Sequence, residues 1–268
     1  MRITIVLAIL AISFTLYASH CDFAFAQTST SSGDIDLDDL GTLDESGAVE
    51  IGESLIAPNS PLYFLKAIRE RIEEKIASSR EAKAITQVEF AHRRIRELRA
   101  LVKNNHQDLI PPVMERYKAH IKEAEGMASF DDELAVKVGE AVSRHLDVLQ
   151  RVYDQVGNPR AKAAIRSAIE KAEEHNRNLV AELDLVYQQQ LIRKVALRQA
   201  LACRFFEREA SSSALNSTER EFMKQKVSTC KEDIRKNLKD ELMEIKEKRM
   251  KPNMESKSPG STTSAIIQ

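Results

Sequence analysis

Residues 159–210, PRAKAAIRSAIEKAEEHNRNLVAELDLVYQQQLIRKVALRQALACRFFEREA, decide the fold. After Pro159 the stretch holds no glycine and no further proline. Ala161, Ile165, Ala168, Ala172, His175, Leu179, Leu183 and Val186 recur every three or four residues along it. That is the period of an apolar helix face; a strand would alternate every second residue. Leu191, Val195 and Leu201 carry the apolar content onward. A helix much longer than ~25 residues signals a coiled coil or an extended bundle. The alternative is two helices with a bend at residues 187–190, where three glutamines interrupt the stripe.

The same reading extends outward in both directions. Upstream, Gly157-Asn158-Pro159 ends one helix and opens the next. The earlier helix starts near Ser129 and Asp132, and its stripe runs from Leu134 through Val138, Val142, His145, Leu149 and Val152. Before it, Pro111-Pro112 opens a helix that Gly126 closes, and Asn104-Asn105-His106 forms a turn. Ser78 or Ser79 caps a helix carrying Ile85, Val88, Ala91, Ile95, Leu98 and Val102. The first helix opens at Ser60-Pro61, with Leu62, Leu65, Ile68, Ile72 and Ile76 as one apolar stripe. Downstream, residues 211–217 form a loop, and Thr218 with Glu221 reads as a capping box for a last helix ending near Met250. Lys251-Pro252 ends it, and residues 251–268 are a disordered Ser/Thr/Pro tail.

Composition agrees. The 268 residues are 43% hydrophobic and 30% charged, with eight Gly, seven Pro and no Trp. Long amphipathic helices need those proportions, whereas β-rich folds need turn residues and aromatics. The expected architecture is all-α: an antiparallel helical bundle over 59–185, a helical hairpin over 186–250 continuing it, and disordered termini.

Arg2 followed by the apolar run Ile3–Ala18 and the small-x-small pattern Ala24-Phe25-Ala26 reads as an export leader, residues 1–26. Cleavage is expected between Ala26 and Gln27; an uncleaved anchor is the alternative. No later stretch is long and apolar enough to span a membrane. Residues 27–58 read as an acidic disordered linker. The formal charge is −1, yet residues 27–60 hold eight acids and no Lys or Arg. The balance of the chain is therefore positive, but spread along helices rather than gathered into the basic stripe that nucleic-acid binding uses.

Candidate chemistry is sparse. Asp34, Asp36, Asp38 and Glu45 fall at positions 1, 3, 5 and 12 of a calcium loop, but Asp39 stands where the sharp turn needs Gly. Glu89-Phe90-Ala91-His92 is one half of a di-iron signature, and His120 with Glu123 has the reversed order. His145 and His175 lie on apolar stripes, as ligands or as core histidines with hydrogen-bond partners. Nucleophile elbows, zinc-protease motifs and phosphate-binding glycine loops are absent. No cofactor and no catalysis are expected.

Cys203 and Cys230 are equidistant from position 216.5, in or beside the 211–217 loop. A hairpin turning there sets them at one height on facing helices, which permits a disulfide; two unrelated buried thiols are the alternative. Asn216-Ser217-Thr218 on that loop is a glycosylation sequon.

Ser60-Pro61-Leu62-Tyr63-Phe64-Leu65-Lys66 resembles the opening of a family of helical domains of unknown function, found in exported and envelope proteins of archaea and bacteria. Ala91, Arg94 and Glu97 match that family's spacing, and the likeness covers about residues 59–180. It implies a helical domain outside the cytoplasm and brings no activity. The function expected from the residues is an exported interaction or structural module, with a protein partner or self-association and no nucleic acid. The alternative is an extracytoplasmic metal-binding helical protein.

Overall fold

The computed structural model describes residues 60–250. Of the described residues, 88% are helical and none is in a strand, so they form an all-α fold. The helices are α1 (Tyr63–Ile76), α2 (Arg80–Lys103), α3 (Ile110–Ala128), α4 (Asp132–Gln155), α5 (Pro159–Glu182), α6 (Leu185–Ala210), α7 (Ser217–Asp233) and α8 (Lys239–Met250). A π-helical turn, Ile234–Leu238, joins α7 to α8 as one rod. The calcium-loop acids Asp34, Asp36, Asp38 and Glu45, the leader with Ala26 and Gln27, and the tail lie outside the described residues.

Local chemistry explains most boundaries. The Ser79 hydroxyl accepts from the Ala82 N–H at 3.0 Å, and the Asp131 carboxylate accepts from the Leu134 N–H at 2.9 Å. The Asn158 side chain accepts from the N–H groups of Arg160 and Ala161, with Pro159 in the first turn. Each satisfies donors that a helix start leaves unpaired. Helix α2 ends in a Schellman turn. The His106 N–H reaches the Leu101 carbonyl, the Asn105 N–H reaches the Val102 carbonyl, and Asn105 takes φ 58°. Two expectations need correction. Helix α3 runs through Gly126 to Ala128, since Gly126 keeps a negative φ. The last capping box is Asn216 with Glu219, not Thr218 with Glu221, so α7 begins at Ser217.

The long stretch is two helices. They part at Leu183 and Asp184, ahead of the glutamines. Leu183 is extended and buried, and the Gln188 amide donates to the Val180 carbonyl at 2.9 Å, satisfying the end of α5.

Consecutive helices pair as hairpins, α2–α3, α4–α5 and α6–α7, and the hairpins stack side by side. Side-chain bridges linking α2 to α4, α4 to α6, α3 to α5 and α5 to α7 join residues 49 to 56 positions apart, from Lys118–Ser167 to Lys137–Glu81, while Arg166 reaches Glu209 of α6 from α5 across 43. Intermediate steps include Lys194–Glu140, Arg208–Asp154 and Arg166–Glu219. Such a near-constant offset means α2, α4 and α6 run parallel in one layer, and α3, α5 and α7 run parallel in the other. Helix α4 sits in the middle, against α2, α5 and α6. Gly139 on α4 lets the α6 side chain Leu191 approach: a Cβ there would lie 2.8 Å from Leu191 Cδ1. A second, smaller core of Ala196, Ala200, Cys203, Cys230, Ile234 and Leu238 fills the far end of α6 and α7.

Candidate functional site

Helix α1 breaks the usual logic of amphipathic helices. None of its residues is buried, and its stripe points away from the bundle. Leu65 and Ile68 are each 48% exposed, Ile72 is 51% exposed and Ile76 is 72% exposed. The helix instead turns its polar side inward, and polar contacts to α2 hold it.

Those contacts join the two stretches that carry the family resemblance. Lys66 of the opening segment meets Glu97 of α2 at 2.5 Å. The Tyr63 hydroxyl donates to the Glu97 carboxylate at 3.2 Å and accepts from Arg94 Nη1 at 2.9 Å. Arg94 also contacts Glu97 at 3.4 Å and grips Glu70 closely, while Arg116 of α3 donates to the Tyr63 oxygen. The Arg94 and Glu97 side chains are 2% and 0% exposed, so a complete ion pair is interred beneath α1. Helical phase puts them there: Arg94 and Glu97 share the inward side of α2 with Ala91, Ile95 and Leu98.

Burial sets the electrostatics. It is the largest cause pushing the Tyr63 phenol up, with the Glu97 charge adding to it. It pushes the Lys66 ammonium down, against the opposing pull of Glu97. The Glu70 carboxyl is raised by burial against Arg94. A group of mutually compensating charges in a dry setting fixes geometry more than it adds stability.

Because α1 stands off from α2, a cleft of about 310 Å³ opens beneath it, lined by Glu70, Arg71, Gln87, Phe90, Arg116 and His120 among others. His120 Nδ1 lies 2.7 Å from Gln87 Oε1, and its ring meets Phe90 edge-on. Burial, then Arg94 and Arg116, bring its pKa down to about 4, so it is neutral at pH 7.

His145 and His175 are core residues, His92 is partly buried and His106 is exposed. His145 is fully buried between Tyr117 and His92, and burial brings its pKa down to about 3. His175 faces the Glu125 carboxylate, and burial with Lys122 lowers it to about 4. His92 meets His145, whereas His120 meets Phe90 and Gln87. Among the described residues no group of three or more His, Cys, Asp or Glu could hold a metal ion.

Cys203 and Cys230 stand at disulfide distance, with Cα atoms 5.7 Å apart. Asn216 is exposed at the start of α7, its side-chain Oδ1 accepting from the Glu219 N–H at 2.9 Å. The cluster beneath α1 is what the sequence reading did not foresee. Its signal was present: Tyr63, Lys66, Glu70 and Glu74 recur at helical spacing opposite the apolar stripe.

Residues 55–159 match the family described as Domain of unknown function (DUF5667). The match begins just ahead of α1 and ends at the first residue of α5, so it contains the whole charged cluster. No curated protein and no solved structure matches the chain.

Proposed function

We propose that this chain is an interaction module acting outside the cytoplasm, and that α1 is the element it offers to a protein partner. One observation carries this reading: α1 is pinned by an interred set of ion pairs while its apolar stripe faces out. An apolar stripe that no other described residue covers marks an interaction site. A helix held mainly by hydrophobic contact would have turned the stripe inward. Here the charged underside dictates which way the helix faces, and buried charge clusters serve such orientation better than they serve stability.

Two features support the location. The first 26 residues have the form of a cleaved export leader. Cys203 and Cys230 stand at disulfide distance, a pairing that persists in oxidising compartments. In this reading the chain binds and does not catalyse.

The test is capture from intact cell envelopes with the tagged chain under mild crosslinking. Ile68→Asp/Ile72→Asp is the comparison, because both side chains are exposed and neither stabilises the core. Partners held by the original chain and lost from the variant support the reading. Equal capture by both chains removes α1 as the docking element. N-terminal sequencing of the exported protein tests the leader: a chain starting at Met1 excludes cleavage after Ala26.

A further inference from the structure

The outward face of α1 has a definite charge as well as an apolar stripe. All three of the helix's glutamates reach towards α2. Glu70 holds Arg94, Glu73 holds Arg93 at 2.5 Å, and Glu74 accepts from the Gln87 amide at 3.4 Å. Two of its cations, Arg69 and Lys75, stay exposed beside Phe64, Leu65, Ile68, Ile72 and Ile76, while Arg71 stands exposed at the rim of the cleft. Arg69 is anchored to Glu73 at 2.6 Å. The outward surface is thus apolar and cationic, with its anions drawn to the other side. Two copies of such a face repel each other, while an apolar and anionic partner fits it.

The chain itself carries a segment of that chemistry immediately before α1. From Asp34 to Ile56 it holds eight carboxylates and no cation. Leu37, Leu40, Leu43, Ile51, Leu55 and Ile56 are interleaved among them. The 14 residues of α1 span ~21 Å. The acidic segment covers ~75 Å when extended, and it ends four residues before Ser60. Tethering this close places it at an effective concentration of the order of millimolar, ahead of free competitors of similar affinity.

We infer that the segment Asp34–Ile56 folds back onto the outward face of α1, its leucines and isoleucines on the stripe and its carboxylates against Arg69 and Lys75. This rests on reading α1 as the docking element. It adds that an external partner must displace the acidic segment, and so must itself present apolar and anionic groups.

A photo-crosslinker replaces Phe64, and separately Ile72, in the full chain; both side chains are exposed, so the fold tolerates the change. Equal amounts of ¹⁴N- and ¹⁵N-labelled protein are mixed, with and without phosphatidylglycerol–phosphatidylcholine vesicles. They are then irradiated and the linked peptides identified by mass. The expected product joins α1 to a peptide within residues 34–56 of the same isotope. Replacing Asp34, Asp36, Asp38, Asp39, Asp44 and Glu45 by their amides is expected to cut that product roughly five-fold, since several exposed ion pairs are lost together. Light–heavy products identify a second copy and overturn the inference, as does transfer of the label to lipid or an unchanged yield in the amide variant. Either of those occupants would still leave α1 as a binding face. The absence of any product from either position overturns both the inference and the reading beneath it.

Discussion

At the residue scale, Arg94 and Glu97 behave differently from other charged residues in the chain. Surface pairs such as Arg208–Asp154, both 55% exposed, are worth little, because water competes for each partner. Arg94 and Glu97 have no such recourse. Arg94→Leu leaves Glu97 and Glu70 beneath α1 without their guanidinium, and breaking a buried pair from one side costs about 3–5 kcal/mol. The expected outcome is a loss of that size in urea unfolding. Arg94→Leu/Glu97→Leu should recover part of it, because the uncompensated charge goes as well. A single variant no worse than the double would refute the coupling.

The histidines make a second residue-scale prediction. His145 is held near 3 in the fold, by burial first and then by His92 and Arg144, against 6.5 when exposed. Its depressed value means the unfolded chain takes up the proton first. The stability it confers is complete above pH 6.5 and drains away as pH falls from there towards 3. One such proton is worth about 1.4 kcal/mol per pH unit. His145→Gln should therefore flatten the fall in unfolding free energy between pH 6 and 4 by about that slope. Parallel curves for the two chains would show that His145 does not contribute.

At the element scale, the signals that proved legible are those in which one residue serves its own helix. Ser79, Asn158 with Pro159, and the turn at Asn104–His106 mark boundaries through local hydrogen bonds, and local bonds are written in local sequence. The break at Leu183–Asp184 has no such marker. It depends on burying Leu183 and on Gln188 reaching back eight residues to Val180, both tertiary effects. The orientation of α1 was illegible for a related reason. Periodicity reveals a stripe but not which side the neighbours take. Only the position of Arg94 and Glu97 on the inward side of α2 decides that. Symmetry about the α6–α7 loop was legible because a hairpin's register is simple arithmetic. The Cys203–Cys230 pair, 27 positions apart, makes an energetic prediction. Closing a loop of that length removes entropy from the unfolded chain worth about 3.5 kcal/mol. Thiol reduction should lower the unfolding free energy by that order, with the far end of α6 and the π-turn affected most. Equal stability with and without reductant would exclude the staple.

At the scale of the whole molecule, the fold is a stack of three hairpins whose contacts pass from neighbour to neighbour. The steps between parallel helices are 49 to 56 positions. Lys194–Glu140 links α6 to α4 as Lys137–Glu81 links α4 to α2, and His92 meets His145 on the α2–α4 seam. In such a stack stability depends on how many sides of an element are covered. Helix α4 is covered by α2, α5 and α6, α7 leans mainly on α6, and α1 is held by polar contacts with no buried residue. Local opening free energies should follow that order. Hydrogen exchange of the native protein is expected to find the slowest amides in α4, at Val142 to Leu149, exchanging only by global unfolding. Amides of α7 and α8 should exchange through a smaller opening that reduction of the cysteine pair eases further. Those of α1 should open most easily of all, yet more slowly in the chain with its acidic segment than in the amide-substituted one. If α1 and α4 exchanged through one common opening, the hairpins would unfold as a single cooperative unit, and the charged cluster would be part of the core rather than a mount for a presented helix.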